Sequence, residues 1–153
     1  MAVLKSTPAA LVTLVNHACA QNQSTNTFTN SQSLVNIMHR LVDDEHDFYI
    51  PLLREFIHSI KAPTYVTDLL KPEDDYQQND KHIDQLPCEF LKIRLRLLNT
   101  ILELSEECFN KVVKPTIQGY SSIHDLLFYQ AEHDRSVLRN VYDTLSKSAQ
   151  PDK

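Results

Sequence analysis

One glycine, Gly119, stands in a chain of 153 residues, and that scarcity limits the fold more sharply than any other feature. Tight hairpin turns need residues at positive φ, and glycine usually supplies them. Glycine-rich phosphate loops need several more. The chain is therefore directed away from hairpin-rich sheets and toward an all-α fold. The expected architecture is a four-helix bundle-like or short helical-repeat domain, residues 1–153 forming one unit with one short N-terminal helix and three long ones.

The helices can be placed by their start and stop signals. In "STPAALVTLVNHACA", Ser6 or Thr7 is expected to cap the first helix, with Pro8 in its first turn. A polar stretch follows, expected to be flexible near 21–32. The second helix covers 33–60, and Pro51 should kink or break it near Phe48–Tyr49 by removing a backbone donor. Residues 61–86 contain Pro63 and Pro72 and are expected to be flexible, with a short helical turn at 64–70. The third helix is expected over 87–113 and the fourth over 121–148, capped by Ser121 or Ser122. A disordered tail, 149–153, closes the chain.

Composition excludes some classes of function. A net charge of −5 and a pI near 5.7 argue against nucleic-acid binding by bulk charge. The basic residues of "KIRLR" are scattered around their helix. No run approaches the roughly 18 apolar residues of a membrane span. Cys19, Cys88 and Cys108 form no CxxC, and the last two would lie about 30 Å apart on one helix, beyond disulfide reach. A reducing, cytoplasmic setting fits. The N-terminus imitates a signal peptide weakly, but Asn16 and His17 interrupt its short apolar run. No nucleophile–base arrangement is legible among the Ser, Cys and His positions.

The chemical question is set by a tripeptide. "EHD" occurs at 45–47, in "LVDDEHDFYIPLLREF", and again at 132–134, in "LLFYQAEHDRSVLRNVYDTL". At about 100° per residue, Leu34, Met38, Leu41, Phe48, Leu52 and Phe56 share one face of the second helix, roughly 80° wide, with Glu45 near its centre. His46 falls about 100° further round. In the fourth helix Glu132 projects outward, His133 lies at the margin of the apolar face and Asp134 toward its middle. The two triplets thus present different residues inward, and their recurrence is read as coincidence.

Both segments resemble the first-helix pattern of hemerythrin-like domains, in which a histidine precedes an apolar Leu-Leu helix. The resemblance covers these two stretches, under a quarter of the chain. That family also needs an H-x-x-x-E pattern on intervening helices, for which "ILELSEECF" offers Glu103 and Glu107 without the histidine. What the resemblance implies is a metal- or ligand-binding helical bundle of di-metal carboxylate type. Glu45, His133 and Asp134 would then line an interior site for iron or another divalent metal.

A second reading gives Glu45 a partner. Arg94 breaks the polar and apolar division of the third helix by falling inside its apolar sector. An acid in one core face and an arginine in another suggest a semi-buried ion pair; snorkelling of Glu45 to solvent is the third possibility. The adjacent aromatics Phe48–Tyr49 and Phe128–Tyr129 would each place one member in the core and the other at a surface, with Tyr49, Phe128 and Tyr129 as interface candidates. The function expected from these features is a non-enzymatic helical protein–protein interaction, scaffold or adaptor module, with another protein as partner and no cofactor. The metal- or ligand-binding bundle is the alternative.

Overall fold

The computed structural model describes residues 1–22, 28–70 and 85–148. Its helices are α1 (Ala2–Asn22), α2 (Phe28–Asp43), a π-helical turn (Asp44–Tyr49), α3 (Ile50–Ser59), α4 (Thr64–Asp68), α5 (Leu86–Leu102), α6 (Glu106–Asn110) and α7 (Ile123–Ser148). Among the described residues there is no strand, only an isolated bridge between Ile117 and Tyr120. The fold is all-α. α2, the π-turn and α3 run on as one column, and α1 and α2 each pack against both α5 and α7. No described helix is long and apolar enough to cross a membrane.

Several boundaries differ from the expectation, each for a local reason. α1 is not short: it runs for 21 residues and begins before Ser6 and Thr7. Their hydroxyls donate back to the Val3 carbonyl at 3.1 and 2.8 Å, so neither caps the helix. Pro8 therefore lies inside α1, where it supplies no N–H to the carbonyl of Leu4 four residues earlier. The expected third helix is divided at Leu102, because Ser105 adopts an extended backbone and accepts the Cys108 N–H at 3.2 Å, starting α6. Of the segments expected to be flexible or disordered, 23–27, 71–84 and 149–153 lie outside the described residues. Within them α1 reaches Asn22, α2 starts at Phe28, α4 occupies Thr64–Asp68 and α5 starts at Leu86.

α7 starts where expected: Ser122 Oγ accepts the Asp125 N–H at 3.1 Å, and the Ser121 hydroxyl holds the Asp125 carboxyl below the usual carboxylate range. The lone glycine sits in the turn just before. Gln118 and Gly119 have φ of 50° and 86°, and Ile117 and Tyr120 exchange both backbone hydrogen bonds, at 3.0 and 2.9 Å. Two successive positive φ values make this a type I′ turn, the geometry that asks for glycine.

The π-turn decides which residues face the core. The Ile50 N–H reaches back five residues to the Glu45 carbonyl, where an α-helix would bond four back. Pro51 follows, with no N–H to give. The wider turn keeps Glu45, Tyr49 and Leu53, spaced by four, on one buried line, with 1, 7 and 0 % exposure. Phe48, which a uniform 100° wheel places inside, is 41 % exposed. The apolar core gathers Leu4, Met38, Phe56, Phe90, Leu97 and Ile123 with their neighbours. α5 is central on one side only: Leu91, Leu95 and Leu102 remain exposed, so its wide apolar sector is not covered twice over.

Candidate functional site: a buried charge cluster

The four helical columns meet at Arg94. It is the largest fully buried side chain of the described structure, and its guanidinium has five N–H donors. Nε donates to Glu45 Oε1 at 2.6 Å and Nη2 to Glu45 Oε2 at 3.0 Å. Nη1 and Nη2 donate to Asp134 Oδ2 and Oδ1 at 2.6 and 3.0 Å. The remaining Nη1 hydrogen goes to the Leu4 carbonyl at 3.2 Å. Pro8 has left that carbonyl without a helical donor, and the guanidinium takes the place of the missing N–H. Each acid is gripped by a two-pronged fork, the strong geometry for arginine and carboxylate. The Phe90 ring lies 4.7 Å from the guanidinium carbon and covers its face.

Arg94 and Asp134 have no solvent exposure and Glu45 has 1 %. Burial pushes the Glu45 carboxyl up from its ordinary value, against the opposing pull of Arg94. Burial also pushes the Tyr49 hydroxyl up, helped by Tyr120 and by the acids around it. Arg94 is held firmly protonated: burial works against its charge, and Glu45 and Asp134 outweigh it.

The sequence placed Glu45 and Arg94 in facing core sectors, and the structure brings them together as a fully buried pair rather than a semi-buried one. Two further members were not foreseen as part of that pair. Asp134 was read as a metal-site residue. Gln130, whose Nε2 donates to Glu45 Oε2 at 2.7 Å, was not singled out, although 123, 127, 130, 134 and 141 trace one inward line of α7 at helical spacing. Snorkelling of Glu45 is excluded by its burial.

The metal reading is corrected. Glu45 and Asp134 do meet, but a guanidinium fills the space between them and uses all four of their oxygens. His133 points elsewhere, with Nε2 3.5 Å from Asp44 Oδ2 and its ring 6.1 Å from that of Tyr49. Among the described residues no group of three or more His, Cys, Asp or Glu side chains is placed to hold a metal ion. The other positions of the hemerythrin-like resemblance fail in the same way. His46 lies at the surface, bonded to its neighbour Asp47 at 2.6 Å, and Glu103 and Glu107 are exposed.

The interface candidates are redistributed. Tyr49 is buried, and it is Phe48 that stands outside, its ring edge-on to Tyr49 at 5.2 Å. Phe128 and Tyr129 do not divide between core and surface: each is 57 % exposed, and the two rings stack edge to face at 5.8 Å. Beside Phe128 lies a groove of about 360 Å³ between the first turn of α1, α6 and α7. Val3, Phe109, Leu127 and Ala131 line it, and the ion-paired Glu132 and Arg135 stand among its walls. Comparison of the chain with protein-family models, curated proteins and solved structures finds no match.

Proposed function

We propose that this chain is a non-enzymatic helical interaction module that docks another protein on the α7 face carrying Phe128 and Tyr129. The observation that carries the reading is the pair of large aromatic rings, each more than half exposed, of which Phe128 lines an apolar groove of about 360 Å³ and Tyr129 stands next to it in contact with Phe128. Single exposed apolar residues are ordinary, but aromatics beside a recess, with an arginine at hand, have the composition of a binding hot spot. A partner suited to this surface offers an apolar side chain to the groove and polar groups to Glu132 and Arg135. The non-enzymatic half of the reading is supported by the charge cluster. The oxygens of Glu45 and Asp134 and the nitrogens of Arg94 are spent on one another, and no substrate atom reaches Arg94 or Asp134 unless the helices part.

A photo-crosslinking residue placed at Tyr129 tests this, with the same residue at Lys92 on α5 as the control. The expected result is one discrete protein adduct from position 129 and none of that adduct from position 92. Phe128→Asp and Ala131→Arg should then abolish association with the identified partner while leaving the thermal melt unchanged. Equal adducts from both positions, or none from position 129, would overturn the reading.

A further inference from the structure

The cluster at Arg94 does not balance. Two carboxylates, Glu45 and Asp134, surround one guanidinium, which leaves one uncompensated negative charge among side chains with almost no exposure to water. Isolated charge of that kind is among the most expensive things to bury, and a buried acid ordinarily escapes the cost by taking up a proton. Arg94 cannot supply a second positive charge. Among the described residues no other cation is bonded to the acids: Gln130 and Asp134 face Glu45 from α7, Arg94 from α5, and α1 contributes the Leu4 carbonyl to Arg94. Tyr49, on the same turn as Glu45, has a hydroxyl held neutral by burial. His133 lies against Asp44.

We propose that the folded protein carries a structural proton on Glu45, making the cluster neutral, and that Gln130 is the group that accommodates it. The Gln130 amide is fully buried, with Nε2 on Glu45 Oε2 and Oε1 without a hydrogen-bond partner. Turned by half a rotation, the same amide presents Oε1 to Glu45 Oε2 and accepts a hydrogen bond from a protonated carboxyl. An amide donates to the ionised acid and accepts from the neutral one, which neither a lysine nor an aspartate at this position does. Desolvation is the dominant influence on Glu45 and acts in the direction that retains the proton.

The linkage has a definite sign. An acid that holds its proton more tightly folded than unfolded stabilises the fold fully below its unfolded pKa. That contribution is lost as pH rises through the folded pKa. Between the ordinary value of 4.5 and the raised one, the folding constant should fall by up to about tenfold per pH unit on account of this one group. Glu45→Gln copies the neutral acid, with an amide N–H in place of the carboxyl O–H. The test is denaturant unfolding of both proteins across mildly acidic to alkaline pH. The expected result is a wild-type to Glu45→Gln ratio of folding constants that declines as pH rises and then levels. A ratio indifferent to pH overturns the proposal. Carboxyl carbon NMR of the wild-type protein decides independently if the variant fails to fold. One glutamate should remain protonated where the exposed glutamates have ionised, and the Gln130 side-chain amide should shift with the same midpoint. If every glutamate titrates with the exposed set, or the amide does not sense the transition, the proton is not there.

Discussion

An Arg94→Met variant would leave Glu45 and Asp134 facing each other with nothing between them, whereas removing either acid leaves a balanced pair of one carboxylate and one guanidinium. The two kinds of change should therefore differ in cost. Loss of Arg94 should destabilise by about 3–5 kcal/mol, the range for stranding a buried charge. Glu45→Leu or Asp134→Leu should each cost less, because the remaining fork still satisfies the arginine on one side. Equilibrium unfolding of the three variants checks the ordering, and equal losses would contradict it. An isolated Glu45–Arg94 pair would lose about as much from either side, so the experiment also separates the pair from the cluster. Leu4 contributes through its backbone, which no side-chain substitution at that position removes.

At the scale of the element, glycine scarcity leaves a mark at the end of α3. Lys61 adopts φ 56° while the Lys61 and Ala62 N–H groups close on the carbonyls of His58 and Ile57, both at 3.1 Å. This is the left-handed helix ending that glycine ordinarily occupies. Relief of the strained backbone exceeds the entropy that glycine loses on folding, so Lys61→Gly should stabilise by about 0.5–1 kcal/mol; a thermal melt that does not rise would say the strain is already relieved. The helices themselves were legible in the sequence. Pro51 marked the break in the second column, Ser121–Ser122 the start of α7, and Glu45 and Arg94 the core positions that matter most. What was missed has specific causes. A wheel of constant 100° steps cannot register the π-turn, so it exchanged Phe48 for Tyr49. Ser105 followed by two glutamates is an N-terminal signature, overlooked inside a longer apolar pattern. Gln130 is uncharged and drew no attention on a face judged by its hydrophobic residues.

For the molecule as a whole, the charged centre and the apolar core make different demands. Apolar side chains tolerate several packings of similar volume, but the five donors of Arg94 reach their acceptors only when α1, the π-turn, α5 and α7 hold one relative register. Replacing the three charged residues together, as Glu45→Leu, Arg94→Met and Asp134→Leu, should give a protein that melts at or above the wild-type temperature, since well-packed apolar substitutes for buried ion pairs are often neutral or stabilising. Scanning calorimetry checks this, and a melt well below wild type would mean that the cluster contributes net stability. Seen over descent, the same arithmetic isolates this sequence. A lineage leaving the charged centre must lose Arg94 at some step, and any path that loses it before both acids passes through a protein with a stranded carboxylate. The three codons are far apart in the gene, so relatives should divide into those that keep Arg94 with at least one of its acids and those that keep none of the three charges.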